Sequence, residues 1–203
     1  MKVLIFGSGG LAKEVIGYIE DGNRKGQNYE IVGVVSTEPF NNAAYKYPVF
    51  HNSPETECAY ILAVASPEVK RKIVAENKDR WITYSHPSCF ISEYAKIGKG
   101  CLFAPQSIVA GDPVIEDFVF FNTNATIGHD SKVGRYATLF PNTEVCGNCE
   151  IGKDVIFGIG AYVLPNVHIA SGAKVSAGAI VRKSVLEAVT VYGDPAKPLI
   201  KAA

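Results

Sequence analysis

Apolar residues recur at every sixth position through most of the second half of this chain. Counted from Ile97, the first residue of each group of six is apolar in fifteen consecutive groups. These positions are Ile97, Phe103, Val109, Ile115, Phe121, Ile127, Val133, Leu139, Val145, Ile151, Phe157, Val163, Ile169, Val175 and Val181. A period of six fits neither the 3.6-residue period of an α-helix nor the two-residue alternation of an ordinary strand.

A six-residue period is typical of a parallel β-helix. Each group would supply one short strand and one corner, so that three groups make one triangular coil and fifteen groups make about five coils. The large aliphatic side chain would fill the interior, a small fifth residue would fit beside it, and glycine would allow the corner conformation. A β-sandwich is the alternative, but its strands and turns vary in length. The pattern therefore predicts a β-helix.

The first third of the chain has a different pattern. Residues 2–6 form a continuous apolar run, which is typical of a buried parallel strand, and residues 7–12 then match G-x-G-x-x-A. Apolar residues at helical spacing follow from Leu11 to Ile19. A strand, a glycine turn and a helix form the context in which backbone amides bind a phosphate group. The alternative is a tight turn that binds nothing.

Two features argue against a complete dinucleotide-binding domain. Ser36 and Thr37 stand where an acidic residue should follow the second strand, and only three or four strands fit before the repeat begins. We therefore predict a truncated Rossmann-like α/β unit over residues 1–84, which binds a phosphate group or a nucleotide. Residues 85–203 are predicted to form the β-helix and a C-terminal tail. A working nicotinamide site remains an alternative.

Composition excludes several classes of partner. Lys and Arg number 20, as do Asp and Glu, so no net charge calls for nucleic acid or an anionic membrane. No apolar run approaches the ~20 residues of a membrane span, and no secretory signal pattern begins the chain. The five cysteines include a C-x-x-C at 146–149 without further ligands near by, so we expect reduced thiols, no metal site and a cytoplasmic protein.

The candidate chemistry lies at one corner of the predicted coil. His129 follows the corner glycine Gly128, and an imidazole can accept a proton at neutral pH. Asp130 could orient that imidazole. Gly147 lies eighteen residues further, one coil later at the same corner, where its amide could bind an oxyanion. A base and an oxyanion donor fit acyl transfer; the alternative is a surface histidine without a chemical role.

The chain resembles the left-handed β-helix acyltransferases. The resemblance rests on the hexapeptide array together with the segments 128–130, 145–148, 178–179 and 193–197. Residues 3–10 narrow the resemblance to sugar acetyltransferases of the PglD and NeuD type, which include sialic acid O-acetyltransferases and nucleotide-amino-sugar N-acetyltransferases. Left-handed winding is implied by the resemblance alone, because crossover connections are normally right-handed.

The resemblance implies an acetyl-CoA-dependent homotrimer with active sites between neighbouring β-helices. His129 would match the catalytic base, Asp130 the acid beside it, and Gly147 the amide that holds the thioester carbonyl. Asn122 would match a polar residue near the acceptor. Acetyl-CoA would be bound by Gly147, Ile159, Gly160, Ala177, Gly178, Pro195 and Lys197. The nucleotide sugar would be bound by Gly7, Ser8, Gly9, Gly10, Ser36 and Thr37.

Two positions depart from the pattern of the family. Ser36 and Thr37 replace acidic residues that contact the nucleotide, and Thr138 replaces a second histidine beside the acetyl group. The expected function is acetyl transfer to the amine of a nucleotide-linked amino sugar in bacterial surface glycan biosynthesis. The alternatives are O-acetylation of sialic acid or another sugar, a nicotinamide oxidoreductase, and a non-enzymatic or zinc-dependent β-helix trimer.

Overall fold

The computed structural model describes residues 1–36, 46–54 and 57–199. Thr37, one of the predicted substrate-binding residues, lies outside them. The N-terminal part contains a parallel four-stranded sheet in the order β3-β2-β1-β4 and two helices. Its elements are β1 (Lys2–Phe6), α1 (Gly10–Arg24), β2 (Glu30–Val35), β3 (Val49–Phe50), β4 (Ala59–Leu62) and α2 (Pro67–Glu76).

Strand β1 is apolar from Val3 to Phe6 because both faces of its sheet are covered. Val3 and Ile5 pack with residues of α1, and Leu4 and Phe6 pack with Ile73 of α2. A parallel sheet covered on both faces needs this continuous apolar sequence rather than alternation. The predicted α/β unit is therefore present, with one helix on each face of the sheet.

The predicted β-helix is also present, and it is left-handed. All fifteen periodic apolar residues stand second in a two-residue strand, and three parallel sheets form the faces of the coil. The first face contains β5 (Tyr84–Ser85), β8 (Leu102–Phe103), β11 (Phe120–Phe121), β14 (Thr138–Leu139), β17 (Ile156–Phe157), β20 (Lys174–Val175), β22 (Thr190–Tyr192) and the antiparallel β23 (Lys197–Pro198).

The other two faces continue the same order along the chain. The second face contains β6 (Phe90–Ile91), β9 (Ile108–Val109), β12 (Thr126–Ile127), β15 (Glu144–Val145), β18 (Tyr162–Val163) and β21 (Ile180–Val181). The third face contains β7 (Lys96–Ile97), β10 (Val114–Ile115), β13 (Lys132–Val133), β16 (Glu150–Ile151) and β19 (His168–Ile169). We call the turn from first to second face the first corner, the next turn the second corner, and the turn back the third corner.

The fourth residue of most groups of six adopts a left-handed backbone conformation. Gly, Asn and Asp, which tolerate that conformation, hold most of these positions. At the third corner, however, Phe118 (φ 60°) and Tyr136 (φ 64°) hold them. Their rings stack 5.3 Å apart, and the edge of Trp81 covers Phe118. Packing against the N-terminal unit thus stabilises two aromatic residues in a conformation that they rarely adopt.

Helix α2 is joined to this corner by a buried lysine. Lys70 is 1% exposed, and its ammonium donates to the carbonyl oxygens of Phe118 and Tyr136 at 3.2 Å, to that of Ala137 at 3.1 Å and to the Thr138 hydroxyl at 2.8 Å. The junction at the start of the coil is also polar. Buried His86 lies between Asp21 of α1, at 3.0 Å, and Ser88, at 2.7 Å.

Candidate active site

His129 and Asp130 form a hydrogen-bonded pair at the second corner, between β12 and β13. Nδ1 of His129 lies 2.6 Å from Oδ2 of Asp130. Asp130 has a left-handed backbone (φ 56°), and its N–H donates to Oδ1 of Asp112, one coil earlier, at 3.0 Å. The corner therefore fixes both side chains, although the His129 side chain is 69% exposed.

The hydrogen bond to Asp130 determines which imidazole nitrogen is free. A carboxylate only accepts, so Nδ1 of His129 carries the proton and Nε2 is left able to accept one. A Cβ built on Gly147 would lie 2.5 Å from that Nε2, and a Cβ on Gly111 would lie 2.6 Å from Cβ of His129. The imidazole is thus packed between glycines of the preceding and following coils, and neither position has room for a side chain.

The amide of Gly147 is available as a hydrogen-bond donor. Amides at the equivalent place of other corners donate to side chains: Lys99 N–H to Asp117 and Lys153 N–H to Ser171. The Gly147 N–H has no acceptor among the residues that the structure describes, whereas the next amide, of Asn148, donates to the His129 carbonyl at 2.8 Å. A proton acceptor and a free N–H donor therefore lie on adjacent coils, which is an arrangement suited to acyl transfer.

Four of the other residues predicted to bind acetyl-CoA lie along the first corner instead. Ile159 and Gly160 belong to one coil and Ala177 and Gly178 to the next, joined by a 2.9 Å hydrogen bond from the Gly178 N–H to the Ile159 carbonyl. Both glycines have a left-handed backbone, and the space where a Cβ would point is open. This corner presents a backbone-lined edge to solvent.

The C-terminal tail is attached beside that edge. The Ile180 N–H donates to the Gly193 carbonyl at 3.0 Å, and the Ala196 N–H donates to the Ile180 carbonyl at 2.9 Å. Arg182 and Asp194 form an ion pair at 2.9 Å. These contacts place the turn that contains Pro195 near Ala177 and Gly178, and Lys197 follows in the exposed strand β23.

Asn122 also lies at the first corner, where it meets the N-terminal unit. Its Oδ1 accepts the Thr123 N–H at 2.7 Å. The Tyr18 hydroxyl, from α1, lies 3.5 Å from Oγ1 of Thr123 and donates to Glu14 at 3.0 Å. Sequence analysis did not single out Tyr18 or Glu14, because helical spacing alone does not tell which part of the coil a helix contacts.

One chain does not bring the two sets of residues together. His129, Asp130 and Gly147 lie at the second corner, whereas Asn122 and the predicted acetyl-CoA residues at positions 159–160 and 177–178 lie at the first. Five residues, which include strand β12 of the second face, lie between Thr123 and His129, so the two residues stand at opposite edges of that face.

The glycine turn leads from β1 into the exposed start of α1. Gly7 has φ +123°, and a Cβ there would lie 2.5 Å from the Ala63 carbonyl, so only glycine fits. Gly9 and Gly10 are exposed at the start of α1, whose first turn has no acidic residue and no side-chain cap. Ser36 is fully buried and donates to Ser8 at 2.7 Å. Ser36 therefore supports Ser8 rather than facing a ligand directly.

Thr138 occupies a different environment from the one that the family pattern implied. It is fully buried, donates to the Ala65 carbonyl at 2.7 Å and accepts from Lys70. Among the described residues, no group of three or more His, Cys, Asp or Glu is arranged to hold a metal ion. None of the described helices is long and apolar enough to cross a membrane.

A family model matches part of this chain, and a known enzyme matches nearly all of it. The family model of the bacterial transferase hexapeptide (six repeats) matches residues 148–183. GDP-perosamine N-acetyltransferase of Escherichia coli O157:H7 is 25% identical over 209 residues, which cover 96% of this chain and 95% of that protein.

Two solved structures resemble this chain over nearly its full length. The acetyltransferase domain of PglB from Neisseria gonorrhoeae FA1090 has a TM-score of 0.85 and 26% identity, covering 98% of this chain and 99% of that domain. PerB from Caulobacter crescentus, in complex with CoA and GDP-perosamine, has a TM-score of 0.85 and 26% identity, covering 98% and 97%. Both likenesses include the N-terminal unit as well as the coil. The repeat at residues 148–183 thus matches the bacterial transferase hexapeptide, and the whole chain is similar in structure to left-handed β-helix sugar acetyltransferases.

Proposed function

We propose that this protein transfers an acetyl group from acetyl-CoA to the amine of a nucleotide-linked amino sugar, in bacterial surface glycan biosynthesis. The observation that carries the proposal is the His129–Asp130 pair with its free Nε2 beside the free N–H of Gly147. Relatives matched over nearly the full length support the acceptor class, since one is a GDP-perosamine N-acetyltransferase and PerB was solved with CoA and GDP-perosamine.

The proposed chemistry is direct transfer without a covalent enzyme intermediate. Acetyl-CoA, bound as a substrate, supplies the acetyl group as a thioester. As the acceptor nitrogen forms its bond to the carbonyl carbon, Nε2 of His129 removes a proton from that nitrogen. The Gly147 N–H donates to the carbonyl oxygen as negative charge develops on it. The carbon–sulfur bond then breaks, and the proton held by His129 passes to the leaving sulfur.

Asp130 stabilises the proton-accepting tautomer of His129 and the imidazolium that forms on proton transfer. Cys146, next to Gly147, is not assigned a nucleophilic role. Burial raises the pKa of its thiol, with Glu144 contributing, so the reactive thiolate is disfavoured.

The separation of the two corners supports a homotrimer. Because His129 and the predicted acetyl-CoA residues of the first corner occupy opposite edges of the second face, a complete site would need the second corner of one copy beside the first corner of another. A cyclic three-fold arrangement would form three such grooves from identical contacts. The open edge at Gly160 and Gly178 would accommodate the pantetheine chain, and Pro195 and Lys197 would contact the far end of the cofactor.

The N-terminal unit would bind the nucleotide diphosphate of the acceptor. Exposed amides at Gly9 and Gly10 stand at the positive end of α1, and Ser8 is held beside them by Ser36. Ser36 and Thr37 replace the acidic residues of the family pattern, so the N-terminal unit would bind the phosphates of the nucleotide more than its base. We place the reaction in the cytoplasm, a reducing compartment in which the five free cysteines stay reduced.

The proposal is tested by following coenzyme A release from acetyl-CoA with a panel of acceptors. The panel contains GDP-, UDP- and dTDP-linked 4-amino-6-deoxy sugars, CMP-sialate and free sialic acid. Release with a nucleotide amino sugar is expected. Release only with the sialates would establish O-acetylation instead, and failure to bind acetyl-CoA would overturn the proposal.

A further inference from the structure

A polar chain of four residues crosses from α1 to the first corner. Glu14 accepts from the Tyr18 hydroxyl at 3.0 Å, and that hydroxyl lies 3.5 Å from Oγ1 of Thr123. Oγ1 of Thr123 also lies 3.3 Å from Oδ1 of Asn122, and its single hydrogen serves either this contact or the one with Tyr18. These polar side chains connect the exposed carboxylate of Glu14 to Asn122, the residue of this corner that was predicted to lie near the acceptor sugar.

The orientation of the Asn122 amide is fixed by its neighbour. A backbone N–H can only donate, so the atom that accepts from the Thr123 N–H at 2.7 Å must be Oδ1. The amide nitrogen therefore points the other way, and it has no hydrogen-bond partner among the described residues. Asn122 thus offers N–H donors to a ligand, which suit the oxygen of a sugar but not an amino group.

Glu14 is the hydrogen-bond acceptor that an amino group would find at this junction. Its carboxylate is exposed and uses one lone pair for Tyr18, which leaves further acceptor sites. Along α1, Glu14 lies one turn after Gly10 and Tyr18 one turn after Glu14, a rise of about 6 Å each. A sugar diphosphate bound at the glycine turn, with its sugar directed towards the coil, would pass beside Glu14.

We infer that Glu14 binds the amino group of the acceptor sugar and selects amino sugars against their hydroxyl counterparts. This inference rests on the proposed function. An ammonium or amine donates N–H to the carboxylate, while the Asn122 amide donates to a neighbouring sugar oxygen. Glu14 is a binding residue and not the base, since the proton is lost to His129 during transfer.

Tyr18 is a positioning residue in this arrangement. Burial raises the pKa of its hydroxyl, which keeps the hydroxyl protonated and donating to Glu14. The Tyr18 hydroxyl thus fixes one carboxylate oxygen of Glu14 and leaves the other oxygen available to a ligand. Removal of the hydroxyl should weaken amino-sugar binding while leaving the turnover of bound substrate nearly unchanged.

The test compares two ligands that differ only at one atom. Binding of a nucleoside-diphosphate 4-amino-6-deoxy sugar and of its 4-hydroxy counterpart is measured by calorimetry without acetyl-CoA, and KM and kcat are measured with it. In Glu14→Gln, the Kd and KM for the amino sugar should rise by roughly 10–100-fold, the loss expected for a charge-assisted hydrogen bond. The Kd of the 4-hydroxy ligand and kcat should change little.

Two further variants complete the design. Tyr18→Phe should raise the KM for the amino sugar by a smaller factor with kcat preserved, and Glu68→Gln, at an exposed glutamate of α2, should change nothing. Equal weakening of both ligands in Glu14→Gln, or no weakening of either, would overturn the role of Glu14. Absence of coenzyme A release by the wild-type protein would overturn the proposed function instead, because the binding preference is measured without turnover.

Discussion

Lys70 donates to the Thr138 hydroxyl at 2.8 Å, across the junction between helix α2 and the first face of the coil. The same ammonium satisfies three backbone carbonyls of the third corner, two of them from residues with a left-handed backbone. Without it, buried oxygens at the junction would lose their donor. The buried side chain of Lys70 therefore joins the N-terminal unit to the third corner of the coil.

Stability should depend on pH through this lysine. Burial lowers the pKa of Lys70 to about 7 from its usual 10.5. Between these values Lys70 binds less of a proton in the native chain than in the unfolded one, so its contribution to the free energy of unfolding should rise with pH, by at most about 1.4 kcal/mol per pH unit. Urea denaturation from pH 7 to 9.5 measures this slope.

The matched control is Lys70→Met, which removes the amino group and keeps an unbranched side chain one atom shorter. The free energy of unfolding of Lys70→Met should lack the pH dependence that Lys70 contributes. At pH 7 it should be lower than that of the wild type by about 1–3 kcal/mol, because the carbonyl groups are left unpaired. Identical slopes in both proteins would show that Lys70 keeps its proton in the folded state across this range.

Gly147→Ala should disable the catalytic base without unfolding the coil. The new methyl group would lie 2.5 Å from Nε2 of His129, so the imidazole must move away. We expect turnover to fall on the order of 10²-fold, the lower end of the contribution of a general base, with the melting temperature nearly unchanged. Gly17→Ala, on the exposed side of α1 where a Cβ meets nothing within 4 Å, should retain full activity. Full activity in Gly147→Ala would contradict the placement of the base.

Asp130→Asn should lower turnover while preserving the corner, since asparagine tolerates the left-handed backbone at this position. A carboxamide can donate to Nδ1 and so stabilise the tautomer whose Nε2 already carries the proton. A loss on the order of 10²-fold or more in kcat is expected, with the Kd for acetyl-CoA unchanged. Retained kcat would show that Asp130 does not set the tautomer.

Mixed trimers test whether two copies share a site. His129→Ala disables the second corner, and Ile159→Trp should block the exposed first corner. If each site joins the second corner of one copy to the first corner of the next, random co-assembly of the two inactive variants should restore about a quarter of wild-type activity. If each copy held a complete site, co-assembly would restore none.

The sequence specified the coil almost completely. A strict six-residue period allows one interior position per strand, and all fifteen apolar positions take it. The handedness of the coil could not be predicted from spacing, because the same repeat suits either hand. The strand–turn–helix at the glycine turn was likewise predictable, since short-range patterns determine it.

The junction between the two units was not predictable. Lys70 resembles any surface lysine of an amphipathic helix, yet it is buried by contacts with residues about fifty to seventy positions away. Tyr18 and Thr123, 105 residues apart, come together for the same reason. Ser36, expected to face a ligand, is buried because the end of β2 lies against the glycine turn. Such long-range contacts leave no periodic signal.

The most direct test of the central claim is to measure acetyl transfer by the wild type and His129→Ala. Both are incubated with acetyl-CoA and a nucleotide-linked 4-amino sugar, and the acetylated sugar is quantified by mass spectrometry. The wild type should form the N-acetyl product, and His129→Ala should form it about 10²–10⁴-fold more slowly with unchanged binding of acetyl-CoA. Equal rates in the two proteins would remove His129 from the mechanism and with it the proposed active site.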